Sequence, residues 1–282
     1  MKILDGKATS LKMMERIKEQ VKDAISSGRR YPTLHIFLVG NDFARKTYVE
    51  MKNKKAQEIG IECDVHSLAE DTTTEELVDE IERLNRDSTV DGIMVQLPLP
   101  KGIDEDVVLE SISPRKDVDG LTSVNLGRLF KNNSTAIAPA TPKGILNLLH
   151  EYGIEIDGKS AVVIGRSDIV GLPVAAMLQN ENATVTICHS HTKNLQELTN
   201  KADILVVGIG KPQYITADFV REAAVVIDVG TNRNEEGKLV GDVDLDSVKE
   251  KVEYITPVPG GVGPMTIASL FSNLIEIYQR NA

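Results

Sequence analysis

Short apolar runs rich in Val, Ile and Leu alternate with longer amphipathic stretches along most of the chain. Because these runs lack a regular polar alternation, they predict strands of parallel sheets that helices cover on both faces. The predicted strands are residues 34–40, 63–69, 91–98, 161–166, 183–189, 202–210, 223–230 and 252–258. Amphipathic patterns predict helices over residues 9–27, 43–59, 74–87, 143–152, 171–181, 194–200, 216–221 and 264–280.

The order of these elements predicts an α/β fold with two domains. One sheet falls within the first 140 residues, a second falls within about 155–262, and a helix near 143–152 joins them. The last helix has no following strand in the second sheet, and it could pack back across the first domain. We therefore expect one domain of residues 1–140 plus helix 264–282, and another of residues 141–263.

Composition excludes several classes of protein. The 282 residues are 41% hydrophobic and 26% charged, and no apolar run reaches membrane-spanning length, so a globular protein without a membrane partner is expected. The N-terminal stretch lacks a signal-peptide core, which favours the cytoplasm. A net charge of −10 and an aromatic content of 4% argue against nucleic-acid binding. Neither the histidines nor Cys63 and Cys188 have metal-ligand spacing, so no metal and two buried free thiols are expected.

Residues 153–160, GIEIDGKS, match the P-loop pattern for nucleotide triphosphates. A P-loop must follow a strand and begin a helix, whereas this match follows a helix that ends at Gly153 and leads through an Asp157-Gly158 turn into a strand. The match is therefore interpreted as accidental, and Lys159 is expected to be dispensable for cofactor binding.

The following strand leads into a turn, GRSDIVG, and then a helix, which together form a candidate dinucleotide site. Ser167 stands where the usual fingerprint has a second glycine, so an ordinary strand–helix turn is the competing interpretation. The next strand ends without an acidic residue for ribose hydroxyls; Arg166 and Ser190 could take a 2′-phosphate instead, which favours NADP. The strand ends 208–210 and 228–230 are rich in small residues, where a nicotinamide ring could approach the backbone.

The helix of residues 43–59 carries Tyr48 and Lys52 one turn apart, on the same face. Short-chain dehydrogenases use a Tyr-x-x-x-Lys pair, but there it follows the cofactor turn, whereas this pair precedes it by more than a hundred residues. On the helix alone, a solvated face is the stronger interpretation, and it would include Lys46, Lys52, Lys54 and Lys55. The third strand ends in VQLPLP, whose Gln96 is a candidate ligand-pocket residue.

Two further stretches contain candidate site residues. Asp117 and Asp119 lie two apart in KDVDG, a spacing more typical of turn or cap residues than of paired catalytic acids. The segment TPVPGGVGPMT (256–266) closes the second sheet with three glycines, which permit backbone to contact a ligand.

Together these motifs resemble the bifunctional methylenetetrahydrofolate dehydrogenase/cyclohydrolase family over the whole chain. The resemblance rests on motifs in the family's order: YVEMK with KKAQEIGI, VQLPLP, KDVDGLTSVNLGRL, PATPKGI, GRSDIVGLP, CHSHT, GKPQYI, DVGTNR and TPVPGGVGPMT. It implies an N-terminal α/β catalytic domain and a C-terminal Rossmann-type NADP-binding domain, with the active site in the cleft between them. It also implies a homodimer.

The resemblance implies two consecutive reactions on tetrahydrofolate derivatives: NADP accepts hydride from the 5,10-methylene compound, and water then opens the methenyl cation to the 10-formyl compound. Lys52 would assist proton transfer in the hydrolysis, Gln96 would hold Lys52, Tyr48 would orient the folate, and Asp119 would accept hydrogen bonds from the pterin. The expected lining of the folate site also includes Pro259, Gly260 and Gly261. The expected cofactor-binding residues are Gly165, Arg166, Ser167, Ser190 and Thr231.

Three positions depart from the family pattern. Arg45 stands where a serine is common, and it could contact the glutamate tail of the substrate; Ala140 replaces a cysteine and Thr231 an isoleucine. One alternative is another two-domain NADP-dependent dehydrogenase, resembling shikimate dehydrogenase, which would leave VQLPLP and KDVDGLTS without a use. A non-catalytic nucleotide-binding module is a third interpretation, and it would leave Lys52 idle.

Overall fold

The computed structural model describes residues 1–281. The α-helices are α1 (Gly6–Ser26), α2 (Phe43–Glu58), α3 (Thr74–Arg86), α4 (Glu105–Ser111), α5 (Ser123–Phe130), α6 (Ala140–Glu151), α7 (Gly171–Asn180), α8 (Leu195–Thr199), α9 (Leu245–Val248) and α10 (Val262–Arg280), and a 3₁₀ helix covers Ala217–Phe219. The strands are β1 (Lys2–Ile3), β2 (Thr33–Val39), β3 (Glu62–Leu68), β4 (Gly92–Val95), β5 (Ser160–Ile164), β6 (Thr184–Cys188), β7 (Ile204–Val207), β8 (Val225–Asp228), β9 (Asn232–Arg233), β10 (Leu239–Val240) and β11 (Tyr254–Ile255).

These elements form two compact units, each built around one parallel sheet. The three-strand unit comprises residues 12–128, 135–138 and 270–281, and its sheet has the order β3-β2-β4. The six-strand unit comprises residues 1–11, 129–134 and 139–269, and its sheet has the order β1-β11-β8-β7-β5-β6.

In the three-strand unit, β2 lies in the centre of the sheet and pairs in parallel with β3 from Thr33↔Glu62 to Val39↔Leu68. Helix α3 packs its apolar stripe on one face of this sheet, burying side chains at helical spacing: Leu77, Ile81 and Leu84. The ends of α3 are fixed by side chains. Thr73 and Glu76 form a reciprocal capping box at the start, and the Lys116 ammonium donates to the Leu84 carbonyl at the end.

A side chain of α10, Asn273, stabilises the loop that contains Asp117 and Asp119. The buried Asn273 amide donates to the carbonyl oxygens of Val118 at 2.8 Å and Ala138 at 2.9 Å. Two backbone segments far apart in sequence are thus joined through one side chain.

All the strands of the six-strand sheet are parallel, and the central ones are buried along their length. Val162, Leu205 and Val226, on β5, β7 and β8, lie in one apolar cluster. Such strands need helices on both faces, which accounts for their near-continuous apolar sequence.

The predicted α/β class with parallel sheets is confirmed, and each predicted strand and helix has a counterpart. The 3₁₀ helix occupies the place of the predicted helix 216–221. The sequence pattern missed β1, the β9–β10 hairpin and three helices, α4, α5 and α9. Strand β1 has two residues and is recognisable only from its pairing with β11, 252 positions away.

Candidate active site

Lys52 and Gln96 meet on neighbouring elements of the three-strand unit. Lys52 lies on α2, and its Nζ is 3.0 Å from the Oε1 of Gln96, the residue that follows β4. The Gln96 Nε2 donates to its neighbour's carbonyl, Leu97 O, at 2.9 Å. Because the amide nitrogen is engaged there, the amide oxygen is turned towards the lysine.

Lys52 is less exposed than Lys46 and Lys54 of the same helix. Val49 and Ala56 form the buried face of α2, and Lys52 lies along the same face and is half-buried. Burial lowers the pKa of Lys52, and the nearby charge of Asp119 partly opposes this shift. The solvated-face interpretation holds for Lys46 and Lys54, which are exposed, but it is wrong for Lys52.

Asp117 and Asp119 have different environments despite their spacing. The Asp117 carboxylate accepts backbone N–H groups of Gly120 at 2.8 Å and Thr122 at 2.9 Å, so it is the turn residue that the pattern indicated. The carboxyl of Asp119 has no hydrogen-bond partner within residues 1–281. Burial raises its pKa to about 6, Lys52 acts in the opposite direction, and Asp117 adds to the rise.

A cavity of about 440 Å³ adjoins Gln96 in the three-strand unit. Tyr48, which is half exposed, lies one helical turn before Lys52 and contributes to the cavity wall. The lining residues are Asp42, Ala44, Arg45, Tyr48, Gln96, Leu97, Pro98 and Leu99. The structure thus brings Tyr48, Lys52, Gln96 and Asp119 together on one side of the sheet's carboxyl end.

Arg45 has a role in this wall that the sequence did not reveal. Its guanidinium donates to two backbone carbonyls, Val39 O at 3.2 Å and Pro98 O at 2.7 Å. Its Nε lies 3.6 Å from the carboxylate of Asp42, which caps α2. Arg45 therefore ties α2 to the ends of β2 and β4.

The turn after β5 in the six-strand unit is closely packed. Gly165 has a φ of +122°, and a Cβ built on it would lie 2.4 Å from the carbonyl oxygen of Gly208, which follows β7. The Gly165 N–H donates to the Cys188 carbonyl at the end of β6, at 2.9 Å. A side chain at position 165 would separate these strand ends, so the turn requires glycine.

The remaining candidate cofactor residues surround the start of α7. The Ser167 Oγ accepts the Val170 N–H at 3.3 Å, and Arg166 is exposed beside it. Ser190 is exposed just after β6, and because β5 and β6 are parallel neighbours, it lies at the same sheet edge as Arg166. Thr231 is exposed after β8, two strands from β5 in the sheet order.

The glycine-rich segment after β11 also lies in the six-strand unit. A Cβ on Gly261 would lie 2.5 Å from the Pro257 carbonyl oxygen, and Gly260 accepts the Lys7 N–H at 2.9 Å. Pro259 is exposed at the tip of this segment. The local fold therefore explains these glycines by close backbone packing.

The segment that matches the P-loop pattern leads from a helix into a strand, which is the reverse of the order in a P-loop. Helix α6 ends before Gly153, whose φ is +63°, and the turn at Gly158 leads into β5 from its amino end. Lys159 pairs with Glu155 at 2.7 Å, at the opposite end of β5 from Gly165.

Both cysteines are free, and burial raises the pKa of each thiol, that of Cys63 to about 12. Cys188 is buried as expected, whereas Cys63 is only partly buried.

Within residues 1–281, no three His, Cys, Asp or Glu side chains are grouped to hold a metal ion. No helix within that range could span a membrane, because none is both sufficiently long and sufficiently apolar.

Comparison with known proteins assigns both halves of the chain. Residues 4–119 match the catalytic-domain model of tetrahydrofolate dehydrogenase/cyclohydrolase, and residues 139–282 match the NAD(P)-binding-domain model of the same family. A curated relative, the bifunctional protein FolD of Campylobacter concisus, is 54% identical over 275 residues, which cover 98% of this chain and 96% of the relative.

Two solved structures have the same fold over nearly all of the chain. The bifunctional FolD dehydrogenase/cyclohydrolase of Campylobacter jejuni has a TM-score of 0.98 at 46% identity and covers 100% of both chains. The Trypanosoma brucei enzyme, solved with NADP and an inhibitor, has a TM-score of 0.92 at 38% identity and covers 99% of this chain and 97% of its own. Shikimate dehydrogenase from Aquifex aeolicus shares only the fold, with a TM-score of 0.52 at 14% identity, so that alternative is not favoured. The chain belongs to the tetrahydrofolate dehydrogenase/cyclohydrolase family.

Proposed function

We propose that the chain is a bifunctional one-carbon folate enzyme. It oxidises 5,10-methylenetetrahydrofolate to 5,10-methenyltetrahydrofolate with NADP, and it hydrolyses the methenyl cation to 10-formyltetrahydrofolate. Family membership supports both activities. The observation that carries the proposal is the half-buried Lys52, held by Gln96 beside a cavity and close to the Asp119 carboxyl.

Lys52 is assigned to the hydrolytic step. Water adds to the methenyl carbon, a C–O bond forms, one C–N bond of the ring then breaks, and one proton is released. Burial lowers the pKa of Lys52, which increases the fraction of neutral amine able to accept that proton, and the same amine can return it to the leaving nitrogen. Gln96 accepts one Lys52 N–H and so fixes the position of the amine.

Asp119 and Tyr48 are assigned to substrate binding. An ionised carboxylate can accept two hydrogen bonds from neighbouring donors on a pterin ring, and the Asp119 carboxyl has no competing partner within the described chain. Tyr48 presents a half-exposed ring at the cavity wall, on which the planar part of a folate can stack. Roles for Pro259, Gly260 and Gly261 in the folate site stay predictions.

NADP is assigned to the carboxyl edge of the six-strand sheet. The residues there fit a dinucleotide, because the turn at Gly165 brings backbone close to the neighbouring strand end and a helix begins just after it. Ser167, Ser190 and Thr231 would supply hydroxyl groups, and the Arg166 guanidinium would face the 2′-phosphate. NADP, when bound, would supply the hydride acceptor. The protein's part is to orient both molecules and exclude water.

Folate chemistry belongs to the domain of residues 1–140 with helix 264–282, and NADP binding belongs to residues 141–263. We place the enzyme in the cytoplasm, where its formyl product would serve purine synthesis. The homodimer has support from β3, because the outer edge of that strand has no neighbouring strand among the described residues and could pair with a second copy.

The experiment is a spectrophotometric assay of the purified protein with methylenetetrahydrofolate and either NADP or NAD. Reduced cofactor should form with NADP, and the methenyl absorbance should then decay by hydrolysis. If neither cofactor is reduced and added methenyltetrahydrofolate persists at its uncatalysed rate, the proposed function is wrong.

A further inference from the structure

Asp242 joins two loops at the carboxyl edge of the six-strand sheet. One carboxylate oxygen accepts the N–H groups of Ile209 at 2.6 Å and Gly210 at 3.0 Å, in the loop after β7. The other accepts Lys211 N–H at 2.8 Å and the Asn232 side-chain amide at 2.8 Å. Since Asn232 follows β8, a single side chain fixes the spacing between the ends of two adjacent strands.

The position of Asp242 is itself fixed by a second carboxylate. Asp242 is fully buried, and its backbone N–H donates to the Asp228 carboxylate at 2.9 Å. Asp228 also accepts the N–H groups of Gly230 and Val243, each at 2.9 Å. A fully buried carboxylate with four donors has no freedom to turn, so both loops have one arrangement.

These two loops adjoin the residues assigned to the cofactor. Gly208, which begins the first loop, is the residue against which the Gly165 turn packs. Thr231 directly precedes Asn232 in the second loop. A shift in either loop would therefore change the surface on which NADP is proposed to bind.

We infer that Asp242 is a positioning residue for the dehydrogenase reaction, setting the loops 208–211 and 230–232 in the arrangement that binds the nicotinamide half of NADP. This inference rests on the proposed function. Asp242 acts through three backbone N–H groups and the Asn232 amide, and it has no part in the hydrolytic step, which is assigned to Lys52 and its neighbours. Loss of its acceptor oxygens should therefore separate the two activities.

The main test is Asp242→Asn. An amide has one acceptor oxygen and an NH₂ group in place of the other, so either the Ile209 and Gly210 N–H groups or the Lys211 N–H and the Asn232 amide lose their acceptor and meet a donor instead. We expect the KM for NADP to rise about tenfold or more and the dehydrogenase kcat to fall. The rate of hydrolysis of supplied methenyltetrahydrofolate should stay unchanged. The matched control is Asp246→Asn, which alters an exposed carboxylate four positions away.

A second variant, Asn232→Leu, removes only one donor to Asp242 and keeps the side chain's size. It should raise the KM for NADP about threefold without loss of the fold, which circular dichroism and thermal melting would check. Wild-type activity with NADP tests the proposed function separately. An unchanged KM for NADP in both variants would overturn the inference, as would an equal loss of both activities in folded Asp242→Asn protein.

Discussion

The Lys52 ammonium lies 3.0 Å from the amide oxygen of Gln96, and the orientation of that amide is set by the Leu97 carbonyl. The two residues are 44 positions apart in the chain. The lysine is thus held by a group that cannot take its proton, so burial controls its pKa. This arrangement suits a group that must gain and lose a proton during each turnover.

Replacing Lys52 by methionine should abolish methenyl hydrolysis while the fold is retained. Methionine fills a similar volume but can neither accept nor return a proton, so we expect a loss of about 10²-fold or more. The measurement is the decay of methenyl absorbance, with circular dichroism to check folding. Lys54→Met, on an exposed position of α2, is the control and should keep full activity. Undiminished hydrolysis by Lys52→Met would show that another group serves as the base.

Folate affinity should depend on the ionisation of Asp119. Its pKa is raised to about 6 from an ordinary 3.8, so the carboxylate predominates at pH 7 and the neutral acid predominates at pH 5. Only the ionised form accepts two hydrogen bonds, so the KM for methylenetetrahydrofolate should rise as the pH falls through 6. Asp119→Asn should have a high KM at every pH. A wild-type KM that stays constant between pH 5 and pH 8 would contradict this role.

Asp119→Asn should also stabilise the fold above pH 6. Because the folded-state pKa lies above the unfolded-state pKa, folding takes up a proton between these values, and stability falls as the pH rises through that window. Removing the charge should raise the Tm by about 2–4 °C at pH 8 and have little effect at pH 4. Thermal melting at both pH values checks this, and an equal Tm shift at both would show that ionisation is not the cause.

Arg45→Ser should weaken folate binding by the same factor for mono- and polyglutamate substrates. The guanidinium is committed to the carbonyls of Val39 and Pro98, so its loss should loosen the cavity wall rather than remove a contact to the glutamate tail. We expect a KM increase of about three- to tenfold for both substrates. A selective loss with the polyglutamate form would instead indicate direct contact with the tail.

Arg166→Ala should lower kcat/KM for NADP about tenfold or more and leave the value for NAD unchanged, because only NADP carries the 2′-phosphate. Lys159→Ala is the matched control, since it removes a cation that is paired with Glu155 at the other end of β5. Its KM for NADP should equal that of the wild type. A strong loss of NADP affinity in Lys159→Ala would restore the P-loop interpretation of that segment.

The turn after β5 could be read from the sequence because all of its signals are local: a buried apolar run, then Gly165, then a helix. The environment of Lys52 could not, since α2 buries few apolar residues and the lysine's partner follows a different strand. The Arg45 contacts and the Asp242 bonds were missed for a similar reason. Both acceptors of Arg45 and three of the four donors to Asp242 are backbone groups, which cannot be inferred from residue identity.

The two hydrogen bonds of Asn273 have a consequence for the order in which the enzyme is assembled during its synthesis. Asn273 donates to the carbonyl of Val118, the residue just before Asp119, across 155 positions of the chain. A ribosome therefore completes β2, α2 and β4 long before it makes the side chain that secures the Asp119 loop. The nascent chain can assemble the Lys52–Gln96 pair early, but the Asp119 carboxyl reaches its final setting only when α10 has emerged.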